Sequence, residues 1–373
     1  MKFEVNREDL LKVLQGCGAV VERRQTLPIL SNLYLAVSDS SLTITGTDLE
    51  VEIVGVCEVV VSAEGACTIP ARKVLDICRA LEEGSLLTFI SEGGKVTIQS
   101  GKSRFSLATM SAEEFPQIEG GEIVSSISIS IECLKQLITQ VGFAMAQQDV
   151  RYFLNGMLLE AEGEDLRAVA TDGHRLALSS RKIIAGSDIN ETGDKASKQA
   201  ILPRKSVIEL GRLLSDEDDN VEIGFGENHV VVKFGGFRLT SKLVEGQFPD
   251  YKKVLPAGTE NSLTGDRDSM KQGFQRVAIL SNEKYRGVKL SLKEDLLNIS
   301  ANNPEQEEAH EEVAVQYAGV EMEIGFNVNY ILDVLNVVGD KSVKISLADA
   351  NSSALIESEE DSDSVYVVMP MRL

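Results

Sequence analysis

The chain repeats its own pattern three times, and this constrains the fold more than any other feature, because a repeat is one structural unit used again. Residues 1–20 (MKFEVNREDLLKVLQGCGAV), 128–145 (SISIECLKQLITQVGFAM) and 262–280 (SLTGDRDSMKQGFQRVAIL) share an alternating stretch, an acid, and then apolar residues at helical spacing. Each predicts a short strand followed by an amphipathic helix. Alternating apolar residues around a turn follow over 33–51, 154–178 and 288–315, which predicts a strand pair in each copy. The first two pairs carry Gly46-Thr47-Asp48 and Ala170-Thr171-Asp172, and the third has drifted to Ser300-Ala301-Asn302. Leu10 to Asp48 and Leu134 to Asp172 each span 38 positions, a match that chance composition does not produce.

A second helix starts at Ile69-Pro70-Ala71-Arg72-Lys73, at Leu202-Pro203-Arg204-Lys205 and, without proline, at Phe326-Asn327-Val328-Asn329. Proline suits a helix start because the amide it lacks would have no partner there. Two more strands close each copy, ending near Phe115-Pro116, Phe248-Pro249 and Met369-Pro370. The order β-α-β-β-β therefore occurs twice per third. The expected class is α+β: three domains of antiparallel sheet with two helices each, over 1–120, 121–255 and 256–373. The cuts fall at Gly120-Gly121 and Pro256-Ala257-Gly258, and the polar loop 186–198 takes up the extra length of the middle copy. A chain of 373 residues has room for three such cores.

Charge is distributed unevenly over this plan. Helix segments drawn at 7–24, 70–82, 132–151, 203–213, 267–286 and 327–338 total +6, which leaves −27 on the rest of a chain of net −21. If the helices share one face of a curved assembly, that face is a basic lining inside an acidic exterior. Such a lining attracts phosphates without reading bases, and similar repeats joined head to tail can close into a ring. An acidic scaffold that binds only proteins is the alternative that the net charge permits.

Catalysis finds little support. Asp172 and His174 could be read as a carboxylate orienting an imidazole, but no nucleophile elbow, P-loop or dinucleotide fingerprint accompanies them. The cysteines Cys17, Cys57, Cys67, Cys78 and Cys133 lack the close spacing of zinc ligands and read as small reduced hydrophobes. His174, His229 and His310 are equally scattered, so no metal or other cofactor is expected. No apolar run approaches the roughly 18 residues of a membrane span, and the amino terminus lacks a secretory pattern. A cytoplasmic protein with no membrane partner is the expectation.

Six stretches in order then point one way: Thr26-Leu27-Pro28-Ile29-Leu30, Gly46-Thr47-Asp48-Leu49-Glu50, Gln148-Asp149-Val150-Arg151-Tyr152, Thr171-Asp172-Gly173-His174-Arg175-Leu176, Asn302-Asn303-Pro304-Glu305-Gln306-Glu307 and Val368-Met369-Pro370-Met371-Arg372-Leu373. Over its whole length the chain resembles the bacterial DNA polymerase sliding clamps, the beta subunits of DNA polymerase III. The resemblance implies a head-to-tail homodimeric ring, without catalytic activity, around duplex DNA of any sequence. It implies DNA contacts at Arg24, Gln148, Arg151 and Tyr152; Phe153, beside them, reads equally as core.

By the same resemblance, short peptides from the polymerase III alpha subunit, the clamp loader and other polymerases and repair proteins dock in one pocket. Its walls would be Leu154, Thr171, Gly173, His174, Arg175, Leu176, Pro249, Val254, Ser353, Val368, Met369, Pro370, Met371, Arg372 and Leu373. The dimer interface would set Phe105 and Leu107 against Ile279 and Leu280, with Lys73 and Arg104 facing Glu305, Glu307 and Glu308. His310 stands where the resemblance implies a further acid.

Overall fold

A computed structural model describes residues 1–22, 27–118, 120–185, 198–214, 219–256, 261–361 and 363–372. Most of the polar loop 186–198 lies outside the described residues. Among them are six α-helices: α1 (Arg7–Gly18), α2 (Ala71–Ala80), α3 (Ile131–Val141), α4 (Arg204–Leu213), α5 (Arg267–Ala278) and α6 (Val328–Val337). Each third contributes two helices, and each helix is preceded by one strand and followed by an antiparallel run, as the repeat predicts.

Burial follows helical spacing. Leu10, Val13, Leu14 and Cys17 of α1 are covered, as are Met270, Gly273, Phe274 and Val277 of α5 and Val328, Ile331, Val334 and Leu335 of α6. Asp266 caps α5 by accepting from Ser269 N, and Asn327 caps α6 by accepting from Asn329 N. Pro70 and Pro203 instead precede α2 and α4.

Three helices end earlier than the apolar pattern suggests. α1 stops at Gly18 rather than 24. α3 stops at Val141 rather than 151, because Gly142 begins a tight turn that lets Ala146 N reach Leu154 O at 3.0 Å. α5 stops at Ala278 rather than 286: the amides of Ile279, Leu280 and Ser281 bond three residues back, and Asn282 Oδ1 then accepts from Lys284 N and Tyr285 N. On the observed bounds the helices carry +5, which leaves −26 on the rest of the −21 chain, so the charge segregation survives.

The described strands form four sheets in two compact units. One unit holds a five-stranded sheet, in the order Val60–Ala63, Lys2–Asn6, Leu86–Glu92, Lys95–Ser100, Ser103–Ala108. Its eight-stranded sheet runs Ile123–Ser130, Asn220–Gly226, His229–Phe234, Phe237–Lys242, Val51–Glu58, Ser41–Thr47, Asn32–Ser38, Gly65–Pro70. The other unit holds a nine-stranded sheet, Lys198–Pro203, Gly156–Glu162, Asp165–Thr171, Arg175–Lys182, Ser364–Val368, Ala354–Ser358, Ser342–Leu347, Asn261–Asp266, Gln316–Tyr317. Its four-stranded sheet runs Glu308–Ala314, Leu296–Asn302, Gly287–Lys293, Met322–Asn327.

The units cut across the middle third, because pairing joins strands from different thirds. Phe237–Lys242 pairs antiparallel with Val51–Glu58, and Ser364–Val368 with Arg175–Lys182. In both cases the last strand of a second half-repeat meets the last strand of a first half-repeat. Two last strands remain, Ser103–Ala108 and Glu308–Ala314, and each is the edge of its sheet.

Helix-to-sheet packing is tightest where α1 crosses the first strand pair. A Cβ on Gly46 would lie 2.1 Å from the backbone oxygen of Cys17, whose thiol donates to Ile44 O at 3.2 Å. Two backbones meet there, so no side chain can yield. Gly46→Ala is expected to destabilise that unit by about 1–3 kcal/mol in denaturant unfolding, and an unchanged midpoint would contradict this packing.

Candidate functional site

The Thr-Asp motif that marks the repeat is a turn-building device. Asp172 Oδ1 accepts from His174 N at 2.9 Å and from Arg175 N at 3.0 Å, while Thr171 Oγ1 donates to Arg175 O and accepts from Gly173 N. Asp48 and Thr47 make the same bonds to Glu50, Val51 and Leu49. The second carboxylate oxygen of Asp172 accepts from Arg175 Nε at 3.1 Å. Asp172 thus folds a turn and holds an arginine. Gly173 adopts φ +87°, which favours glycine.

This turn is where the carboxyl-terminal strand arrives. Val368 lies opposite Arg175 on one side and Ala354 on the other, so Ser353 sits beside the tail. Met369 N donates to His174 O and Met371 N to Gly325 O, both at 2.9 Å. The sheet therefore gathers Thr171, Gly173, His174, Arg175, Leu176, Ser353, Val368, Met369, Pro370 and Met371 at one end; Arg372 is exposed and Leu373 lies outside the described residues. Beneath them Leu176 packs with Leu158, Phe248, Tyr251 and Val367, and Val254 and Phe153 pack against that cluster. The core reading of Phe153 holds. Leu154 is buried at 1% exposure, and Pro249 stands exposed after Phe248.

Arg175 is the most constrained of these side chains. Its guanidinium bonds Asp172, Asp333 and the Phe143 carbonyl, and lies 4.6 Å from the Tyr330 ring centre and 5.2 Å from that of Phe143. Phe143, Tyr330 and Asp333 escaped the sequence reading, because nothing in their spacing links α6 to a turn more than 150 positions away. Phe248 was visible only as a repeat marker, and Tyr251 was not singled out. Tyr251 also donates to Glu160, which accepts from Arg167 at 2.7 Å and Gln199 at 2.6 Å. Burial opposes ionisation of Glu160, but these bonds hold its carboxyl below the usual range; burial first, then Glu160, pushes the Tyr251 hydroxyl up to about 12.

The equivalent place in the first third is closed. Thr47 lies opposite Glu52 as Thr171 lies opposite Leu176, so a buried acid stands where the middle third has a leucine. Glu52 Oε2 accepts from Ile118 N at 3.0 Å, and Tyr34 packs on Phe115 there.

The residues expected at DNA separate. Arg24 lies outside the described residues. Gln148 is exposed at φ +56°, and Tyr152 is 74% exposed. Arg151 instead folds back, bonding Asp149 at 2.8 and 3.0 Å and the Asp172 carbonyl at 3.3 Å, directly over Gly173. Those bonds from Arg151 bring the Asp149 carboxyl down to about 2. Arg151 therefore touches the Thr171–Arg175 turn as well as the exposed loop.

The residues expected at a dimer interface lie partly on the edge strands Ser103–Ala108 and Glu308–Ala314 and partly outside them. Phe105 and Leu107 are half-buried on the edge strand Ser103–Ala108, with Arg104 exposed beside Phe105 and Lys73 exposed on α2. Ile279 is 76% exposed and Leu280 half-buried after α5. Glu305, Glu307 and Glu308 are exposed at the start of the other edge strand, where Glu307 accepts from Asn303 Nδ2 at 2.6 Å.

Three family models match in chain order: the N-terminal, central and C-terminal domains of the DNA polymerase III beta subunit, over residues 1–119, 128–250 and 252–372. The chain belongs to the beta sliding clamp family. It is 51% identical to the beta sliding clamp of Pseudomonas aeruginosa and 50% identical to that of Escherichia coli, with 100% of each chain covered. Its fold matches a solved P. aeruginosa DNA polymerase III beta subunit with TM-score 0.94, and one from Caulobacter crescentus at 36% identity with TM-score 0.93. The clamp is a DNA sliding clamp, a processivity subunit with no catalytic role of its own; the protein-only scaffold reading falls. No described helix is long and apolar enough to cross a membrane, and no described His, Cys, Asp and Glu residues group as metal ligands.

Burial raises the pKa of Glu52, against the Ile118 amide and Arg238. A carboxyl that holds its proton more tightly folded than unfolded favours the fold at low pH and opposes it above its folded pKa. Glu52→Gln is therefore expected to stabilise the clamp most near pH 8, with the advantage narrowing toward pH 4.5 in urea unfolding. An advantage that grows in acid would contradict this sign.

Proposed function

We propose that two copies of the clamp close head to tail into a ring around duplex DNA, by pairing the edge strand Ser103–Ala108 of one with Glu308–Ala314 of the other. The observation that carries this reading is the pairing rule inside the chain: every other last strand of a half-repeat is already joined antiparallel to one of the opposite kind. An unpaired edge leaves backbone groups unsatisfied, and a second copy supplies the matching edge. The internal joints also give a register. Phe237 follows a two-residue turn as Ser103 does, so Thr240 corresponds to Ser106. Ser41 and Leu296 likewise follow two-residue turns, so Thr47 corresponds to Asn302, one position past the Ala301 that the sequence pattern sets against it, and Glu52, opposite Thr47, corresponds to Glu308, opposite Asn302. Thr240 pairs with Glu52, so Ser106 is assigned opposite Glu308 and Phe105 opposite Ala309.

In this reading Phe105, Leu107, Ile279 and Leu280 form the apolar centre of each joint, with Lys73 and Arg104 facing Glu305, Glu307 and Glu308 at its margin. Each subunit divides into domains near residues 120 and 255. Arg24, Gln148, Arg151 and Tyr152 contact DNA without base readout, with Arg151 exchanging Asp149 for phosphate. Peptides of the polymerase III alpha subunit, the clamp loader and other replication and repair proteins dock against Leu154, Leu176, Pro249, Val254 and the tail 368–373. Methionines there adapt to several sequences. The place of action is the cytoplasm. The gain for a polymerase is effective concentration, since it stays beside its template after dissociating.

Clamp loaded on nicked circular DNA by a matching loader and ATP is expected to stay bound until the circle is cut, then to slide off the ends. Equal retention on circular and linear DNA would mean direct binding and would end the ring reading. Deleting 371–373 is expected to weaken docking of a clamp-binding peptide by about tenfold while leaving the dimer intact; unchanged peptide affinity would remove the tail from the pocket.

A further inference from the structure

Three histidines occur in the chain, and one of them stands on a free sheet edge. His174 belongs to the pocket turn and His229 is buried. His310 lies mid-strand in Glu308–Ala314 with its side chain 71% exposed. Alternation puts Glu308, His310 and Glu312 on the exposed face, while Ala309, Glu311 and Val313 face α5, where Glu311 is held by Arg276. His310 Nε2 lies 3.6 Å from Glu308 Oε2. On its paired side His310 meets Ser300, with Asn298 and Asn302 on the same face, and none of these titrates.

From this arrangement we infer that His310 makes ring closure acid-sensitive. The inference rests on the ring reading and its register. That register sets Arg104 of the second copy opposite His310 and Ser106 opposite Glu308, and brings the turn residue Lys102 beside Glu312. All three groups of that strand, like Arg104 and Lys102 of theirs, are exposed in the single chain.

In an open copy, a protonated His310 sits between two carboxylates and nothing opposes it. In a closed joint, the same imidazolium faces a guanidinium, and the flanking carboxylates are shared with Arg104 and Lys102. Closure therefore lowers the proton affinity of His310, and by linkage protons oppose closure. Imidazole is the side-chain type here whose charge changes between pH 7.5 and 5.5, while carboxylates, guanidinium and ammonium groups keep theirs. Closure strength is present at pH 7.5 and is lost as the pH falls toward 5.5. With two joints per ring, the dimer is expected to weaken roughly fivefold to tenfold between pH 7.5 and 5.5.

The test is the dimer dissociation constant of the full-length protein at those two pH values and one ionic strength, by sedimentation, for the native chain, His310→Gln and His310→Glu. The expected result is weakening in acid for the native chain only, with both variants flat and the glutamate variant tighter. A dimer at pH 7.5 whose affinity is unchanged at pH 5.5, or that weakens equally in His310→Gln, overturns the inference and leaves the ring reading standing. Absence of any dimer at pH 7.5 sinks the ring reading and this inference with it.

Discussion

A strand at the edge of a sheet presents a row of backbone amides and carbonyls that must find water or another strand, and a protein with six equivalent half-repeats has six such strands to settle. Four are settled inside the chain. Phe237–Lys242 meets Val51–Glu58 and Ser364–Val368 meets Arg175–Lys182, each antiparallel and each joining a second half-repeat to a first. This pairing brings the carboxyl-terminal strand to the Thr171–Leu176 turn, the site proposed for peptide docking. It also leaves one free edge of each kind, and the polarity that joins thirds within the chain is the polarity that a second copy can continue.

The first and middle thirds diverged at a few positions around this turn. The Thr-Asp turn has the same hydrogen bonds in the first and middle thirds, so backbone geometry alone does not make a docking site. What differs is what stands behind it. Leu176 opens onto an apolar cluster with Val367 and Phe248, whereas Glu52 is tied to the Ile118 amide and Tyr34 covers Phe115. Arg175, bound to Asp172 and Asp333 and stacked between Phe143 and Tyr330, fixes the wall against which the tail lies.

Much of this was legible in the sequence, and the part that was not has physical causes. Periodicity marked the strands and helices, because burial of one face imposes it on any amphipathic element. It overran the ends of α1, α3 and α5, where Val20, Met145 and Leu280 remain covered or half-covered after the helix has turned into tighter bonds. Apolar spacing reports burial and does not report backbone hydrogen bonding. The pocket's turn and tail carried local motifs and could be named. Tyr330, Asp333 and Phe143 could not, because they reach Arg175 through the tertiary fold. Arg151 was named as a DNA contact from the family resemblance, but its bond to Asp149 and its position over Gly173 depend on a loop that no periodicity describes.

The central claim is that the two free edges complete each other in one register. A cysteine pair tests it most directly: Ser106→Cys with Glu308→Cys in the same chain, oxidised in solution without DNA. Disulfide-closed dimers, with no cross-linking when Glu308→Cys is replaced by Glu312→Cys, are the predicted result. Cross-linking that favours the Glu312 position, or none at either position in a sample that is dimeric, would contradict the register and the pairing rule from which it comes.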